Sequence, residues 1–206
     1  MKYLLIIALI LFVSCKKKQT IHITAKNAAT GEPYPGLTYY VVTYTNINGG
    51  TKSKTVATGT LDANGEAIVT ERLPKNKGRG VRVVEPENSC YNKNIQLYFS
   101  EEDGENFKAE FEFAECAYSK LIINNANCNG ASDKFVLFRK NQIGSINGNF
   151  GWEHMGCAYW ETNGYSDIPM GNVYFRWEVS RNGTNSIYYD TVFYAPGEYK
   201  TYEINY

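Results

Sequence analysis

The chain has 206 residues, with 21 basic and 21 acidic side chains and a formal net charge of zero. A balance of that kind supplies no positive field, so a nucleic-acid-binding role is excluded as a reading. Aromatic content is high, at 17 Tyr, 10 Phe and 3 Trp, while stretches rich in Ala, Leu and Glu of the kind that build helices are missing.

At the N-terminus Lys2 precedes an uncharged apolar run from Tyr3 to Val13. A membrane-spanning helix needs about 20 apolar residues, so this run is too short to cross a bilayer and has the anatomy of a signal-peptide core. It ends in Phe12-Val13-Ser14-Cys15, which resembles the lipobox of bacterial lipoproteins, with Phe12 where Leu is usual. The resemblance implies cleavage after residue 14 and a diacylated Cys15 as first residue of the mature chain. Residues 15–19, with Lys16, Lys17 and Lys18, then read as a basic tether. Removing residues 1–14 takes away Lys2 and leaves 20 basic against 21 acidic residues. By resemblance to Gram-negative lipoproteins, the lack of Asp after Cys15 points to the outer membrane, on either face, with the lipid anchor as the membrane contact.

Beyond the tether the pattern is β. Ile21, Ile23 and Ala25 alternate with His22 and Thr24, and Val173, Phe175, Trp177 and Val179 alternate with Tyr174, Arg176 and Glu178. Period-2 runs of this kind are strands with one buried and one wet face. Between them lie Asn48-Gly49-Gly50, Asn64-Gly65, Asp103-Gly104, Asn163-Gly164, Asn182-Gly183 and Pro196-Gly197, all turn formers. Order and spacing repeat. Asp62-Ala63-Asn64-Gly65-Glu66 leads through Leu73-Pro74 to strands at 81–85, 94–100 and 107–113. Thr162-Asn163-Gly164 leads through Ile168-Pro169 to strands at 173–179, 187–194 and 199–206. The expectation is an all-β chain of two tandem small antiparallel β-sandwich domains, residues 20–116 and 117–206.

In the first half, Thr30-Gly31-Glu32-Pro33, Pro35-Gly36-Leu37, Asp62-Ala63-Asn64-Gly65 and Leu73-Pro74 together resemble the carboxypeptidase regulatory-like domains of the transthyretin-like sandwich family. Lys75 to Gly80 departs from that family as a longer basic loop without an aromatic. The resemblance implies a non-catalytic module attached to other surface or envelope proteins.

Cys90, Cys116, Cys128 and Cys157 remain after Cys15, an even number in a chain marked for an oxidising compartment. A three-residue hairpin at Glu102-Asp103-Gly104 would oppose Phe99 to Phe107, Leu97 to Ala109 and Ile95 to Phe111 on one apolar face. The same register sets Cys90 opposite Cys116, within disulfide reach. Cys128 with Cys157 follows by elimination.

Chemistry-bearing patterns are sparse. His22 sits on the polar face of the first strand. His154 and Cys157 have an HxxC spacing, but a cysteine committed to a disulfide is no ligand, so no metal site and no cofactor is expected. Asp62-x-Asn64-Gly65-Glu66 reads as a turn rather than a calcium loop. Glu101-Glu102-Asp103 and the pair Glu110 and Glu112 fall on a hairpin tip and a solvent face, with nothing to raise a carboxyl pKa for acid catalysis. Trp152, Tyr159 and Trp160 lie in an irregular Gly- and Asn-rich stretch, 141–165, pinned by Cys157. Such aromatics either cap the open end of a sandwich or anchor a glycan or an envelope protein. The functional expectation is a membrane-anchored, non-catalytic binding or scaffold module. A glycan or peptide hydrolase, or a passive stalk or surface-assembly subunit, is the alternative.

Overall fold

A computed structural model describes residues 16–47, 50–74, 76–100, 103, 106–144 and 152–206. The chain is all-β. In order, the strands are β1 (Lys16–Asn27), β2 (Thr38–Ile47), β3 (Gly50–Thr60), β4 (Glu66–Pro74), β5 (Gly78–Val83), β6 (Ser89–Asn92), β7 (Leu97–Phe99) and β8 (Asn106–Asn124). They continue as β9 (Lys134–Asn141), β10 (Trp152–Met155), β11 (Tyr159–Glu161), β12 (Ser166–Pro169), β13 (Gly171–Arg181), β14 (Thr184–Tyr194) and β15 (Tyr199–Asn205). The expected signal peptide, residues 1–14, and the lipobox Cys15 lie outside the described residues, as do Glu101 and Glu102.

The chain forms two compact units. The first takes the residues up to Lys26, Glu32–Glu85 and Lys93–Glu112; the second takes Asn27–Gly31, Pro86–Asn92 and Phe113–Tyr206. The division therefore falls inside the continuous strand β8, four residues before the boundary at 116/117 read from the repeat.

In the first unit β1 pairs with β4 from Lys16↔Pro74 to Thr24↔Glu66. Ile21, Ile23 and Ala25 are buried as their alternation predicts. The strand starts earlier than the sequence reading placed it: Lys16 to Gln19, read as a tether, are already in the ladder. The reason is Gln19, whose buried amide oxygen accepts from Arg79 Nη1 at 2.6 Å. Arg79 in turn corrects the basic-loop reading of residues 75–80. It belongs to β5, is buried, and donates a second bond to the Pro74 carbonyl at 3.0 Å. Gly65 makes the turn before β4 with a φ of +68°. A Cβ there would lie 2.6 Å from the Ala25 carbonyl, so glycine is required for both conformation and space.

The expected hairpin between 94–100 and 107–113 is not formed. β7 pairs with β5 instead, Phe99 opposite Arg79 and Leu97 opposite Val81, at the end of the sheet β3-β2-β5-β7. Phe99 still stacks on Phe107, with ring centroids 4.6 Å apart, but Ile95 is 71% exposed rather than apolar-faced. In this pairing Phe99 is buried on the face of β5 that carries Arg79, Val81 and Val83.

In the second unit the sheet β10-β9-β13-β14 is antiparallel throughout. Against it stands residues 113–124 of β8, flanked by β6, β11, β12 and β15. Between them the core comprises Leu121, Ile123, Phe135, Leu137, Ile168, Val173, Phe175, Val179, Tyr194 and Ile204 among others, with Trp160 and Trp177 partly buried against it. One pairing departs from the antiparallel expectation: β15 runs parallel to β8, from Tyr199↔Tyr118 to Asn205↔Asn124. The Pro196-Gly197 turn does not close a hairpin but carries the chain from the sheet of β14 to that of β8, and a strand that changes sheets need not reverse direction.

Both disulfides join the expected partners. Cys90 and Cys116 have a Cα separation of 4.8 Å, and Cys128 and Cys157 one of 5.2 Å. Both lie in the second unit. The register around the first differs from the expected one: Tyr91↔Ala114 and Asn92↔Phe113 are shifted by one residue and Ser89↔Glu115 by two, and Cys90, the extra residue of the bulge between Ser89 and Tyr91, still lies within reach of Cys116.

Candidate aromatic edge site

The three aromatics read as a candidate binding surface sit on the edge strands of the second unit. β10 pairs with β9, placing Trp152 opposite Leu137 and His154 opposite Phe135. β11 pairs with β8, placing Trp160 opposite Ile123 and Tyr159 opposite Asn124. Opposed residues share a face of a sheet. Leu137, Phe135 and Ile123 are buried, so Trp152, His154 and Trp160 point into the sandwich and Tyr159 points out of it. The structure thus unites two of the three. Trp152 and Trp160 meet edge-on, with centroids 5.0 Å apart at 67°, and His154 lies 5.8 Å from Trp160. This is the preferred geometry for aromatic quadrupoles, and it closes the gap between the two sheets.

Trp152 is 39% exposed and Trp160 less so; Tyr159, at 61%, faces solvent. Tyr159 donates to Glu161 Oε2 at 3.3 Å, and Lys120 Nζ stands 3.0 Å from the same oxygen. Hydrogen bonding and charge from Lys120 hold the Glu161 carboxyl below the usual carboxylate range. Arg139 lies on the core-facing side of β9, opposite Phe175, with its guanidinium 5.9 Å from the Trp152 ring centroid. Burial lowers its pKa and lowers that of His154 as well. A cation against the π face of an indole is partly compensated for that desolvation.

A polar network that the sequence did not reveal fixes the turn between β10 and β11. The Gly156 N–H donates to the Asp133 carbonyl at 2.7 Å, and Asn125 Nδ2 donates to the Gly156 carbonyl at 2.9 Å. Asp133 is buried, and its Oδ2 accepts from the Asn129 N–H, Asn125 Nδ2 and Arg181 Nε at 3.0–3.1 Å. Arg181 Nη2 also donates to Asn125 Oδ1 at 2.5 Å and lies over the Tyr206 ring. The backbone bond from Asn129, then the Asn125 and Arg181 contacts, hold the Asp133 carboxyl below its ordinary value against its burial. No spacing rule links 125, 133 and 181, so the network was invisible until β9, β13 and the turn were brought together.

The histidine and carboxylate candidates are dispersed. His22 opposes Ile68 on β1, beside an open groove of about 200 Å3 lined also by Glu66, Lys108 and Glu110. Glu112 is ion-paired to Lys26 and Lys93 at 3.3 and 3.2 Å. Burial pushes its carboxyl up, but the two lysines outweigh this and hold it low. Asp62 Oδ1 accepts from the Asn64 and Glu66 N–H groups, both at 2.9 Å, which is the turn read from the sequence. Cys157 is bonded to Cys128. Among the described residues no group of three or more His, Cys, Asp or Glu is placed to hold a metal ion.

The chain matches no known family and no curated protein. It is similar in structure to a protein titled the Bacillus anthracis TIE protein, at 16% identity and a TM-score of 0.37, covering 91% of this chain and 34% of that one. This chain thus spans about a third of that protein. It is also similar to GBS52, the minor pilin of Streptococcus agalactiae, at 11% identity and a TM-score of 0.36, covering 91% and 94% of the two chains. The shaft pilin SpaA of Lactobacillus rhamnosus GG gives 9% identity and a TM-score of 0.34, covering 91% and 96%.

Proposed function

We propose that this chain is a non-catalytic, lipid-anchored module of a bacterial outer membrane that acts by contact, as a scaffold or a subunit of a surface assembly. The observation that carries the reading is the display of large apolar side chains on the outside of the second unit. Tyr174, Ile187, Tyr189 and Phe193 are exposed on the outer face of the β13–β14 hairpin, and Tyr165 and Tyr199 on the outer side of β12 and β15. Side chains of this size left in water by a folded domain mark a contact surface.

The ring geometry favours a protein over a glycan as the partner. Tyr118 and Tyr199 stack on each other, with centroids 4.2 Å apart at 12°, and Tyr165 meets Tyr199 edge-on at 5.2 Å. Rings that cover each other's faces offer edges and hydroxyls outward rather than the flat platform a sugar ring stacks on. The anchor follows from the lipobox-like Phe12-Val13-Ser14-Cys15, and export accords with the two disulfides, which need an oxidising compartment.

The test is a photoreactive residue in place of Tyr199 in the full chain on living cells. Irradiation should give an adduct with an envelope protein that is lost when the photoreactive residue is moved to exposed Glu32. Equal labelling from both positions, or none from either, refutes the contact reading.

A further inference from the structure

The outer edge of β14 is half closed and half open. β13 and β14 are joined through Asn182-Gly183, with φ values of +48° and +78°, the two-residue turn that flanking strands of right-handed twist prefer. Arg181 and Thr184 close that turn, and the ladder runs without a break from there to Gly171↔Tyr194. In an antiparallel ladder alternate pairs exchange both bonds, so even-numbered residues of β14 bond inward to β13. Odd-numbered residues aim their N–H and C=O away from the sheet.

Two outward groups are already capped, and both lie at the far end. The Thr191 N–H donates to Asp190 Oδ1 at 2.7 Å, and the Phe193 carbonyl accepts from Lys200 Nζ at 2.7 Å. Tyr202 donates to the second Asp190 oxygen at 2.5 Å, which fixes the carboxylate in place. Charges set this way are the means by which sheets block edge pairing. From Thr184 to Tyr189 nothing comparable exists among the described residues. The outward backbone groups of Asn185, Ile187 and Tyr189 have no hydrogen-bond partner among the described residues, no residue from Asn182 to Tyr189 is charged, and Ile187 and Tyr189 are 47% and 72% exposed.

We infer that the open half of β14 is an interface for a second copy of this chain, paired antiparallel across a two-fold axis at Ile187. The inference rests on the contact role proposed above and assigns an occupant to the Ile187 and Tyr189 part of that exposed display. The open segment is self-complementary. It is bounded by the turn at Gly183 and the caps that begin at Asp190, and its midpoint is Ile187. With Ile187 opposite its own copy, Asn185 faces the copy's Tyr189 and Tyr189 the copy's Asn185, so every outward donor meets an acceptor in about six hydrogen bonds. Asp190 falls opposite Thr184, so the register sets no like charges against each other. One strand edge per copy makes a small interface of the weak, concentration-dependent class, below about 1,200 Å2.

The test is oxidation of the full chain carrying Ile187→Cys in its own cells, compared with Tyr174→Cys. Tyr174 lies on the same outer face at similar exposure but one strand in from the edge. Paired Ile187 residues would have Cα atoms about 5.5 Å apart, within disulfide reach. A product of twice the chain mass should form at least about tenfold more from Ile187→Cys, since Tyr174 pairs with no copy of itself in this register. Adding Tyr189→Pro, which removes an outward N–H together with the side chain that hydrogen-bonds Arg176, should abolish it, with Tyr189→Phe, which keeps the N–H but loses that side-chain bond, leaving it in place. No dimer from Ile187→Cys, equal yields from the two cysteines, or a dimer that survives Tyr189→Pro overturns the inference. Should Tyr189→Pro fail to fold, Ile187→Lys in the otherwise unchanged chain must scatter light as a monomer at concentrations where the parent does not. An adduct from Tyr199 without a dimer at Ile187 would sink the two-fold and leave the contact role standing.

Discussion

The Cys128–Cys157 bridge ties the start of the 128–134 turn to the segment that carries Trp160 toward the sandwich, so its loss should loosen the aromatic edge first. The cysteines are 29 residues apart. The chain-entropy relation for a loop of that length gives about 3.6 kcal/mol of stabilisation at 25 °C. For a unit near a hundred residues, each kcal/mol moves the melting temperature by roughly 4–8 °C, so replacing both cysteines with Ala should lower it by roughly 14–29 °C. Trp152 and Trp160 report the local event, because edge-on contact at 5.0 Å between two indoles is sensitive to small displacements. Far-ultraviolet and near-ultraviolet circular dichroism followed together through a melt would measure both. A double variant that melts within about 3 °C of the parent with an unchanged near-ultraviolet signal would refute the view that this bridge holds the turn. Peptide mapping without reductant that recovered Cys116 linked to Cys128 would refute the pairing itself.

Trp160→Ala should cost about 3 kcal/mol and Trp152→Ala about 2, whereas Tyr159→Ala should stay within about 0.5, as chemical denaturation would show; equal costs at 159 and 160 would mean their faces are exchanged. The His154 imidazole is held below its ordinary value by burial, so its contribution is complete above the unfolded pKa of 6.5 and is lost as pH falls through the lower folded value. His154→Phe should flatten the stability profile between pH 7 and 5, measured by urea midpoints. Asp133, also lowered, contributes above its unfolded value of 3.8 and loses that contribution as pH falls through the folded value, so Asp133→Asn should weaken the protein at pH 7 yet remove part of its acid sensitivity. Cys15→Ser should abolish incorporation of labelled palmitate and release the protein from membranes, and retention of both would remove the lipid anchor from the proposal.

Much of the architecture is local and therefore legible in the residues. Alternation of Ile21, Ile23 and Ala25, and of Val173, Phe175 and Val179, sets which face each strand buries, because the side-chain period of a strand is two whatever its neighbours. Asn182-Gly183 and Asn64-Gly65 define turns for the same reason: their backbone needs are met within the turn itself. The cysteine partners are legible because disulfide reach tolerates a slip of one or two residues in the register of neighbouring strands.

What depends on the strand order of a sheet was not legible. Nothing near Leu97–Phe99 announces that it pairs with β5 rather than with β8, since both partners offer apolar faces and the choice rests on where Phe99 can be buried. Arg79 reads as part of a basic loop until Gln19 and the Pro74 carbonyl are brought to it from β1 and β4. Asp133, Asn125 and Arg181 are unremarkable in sequence and become a network only through packing. The aromatic site divides in the same way: composition marks Trp152, Tyr159 and Trp160 as unusual, but the pairings with Leu137, Asn124 and Ile123 turn two of them inward and one outward. Periodicity is a property of the chain, whereas pairing is a competition among distant segments that only the assembled sheets resolve.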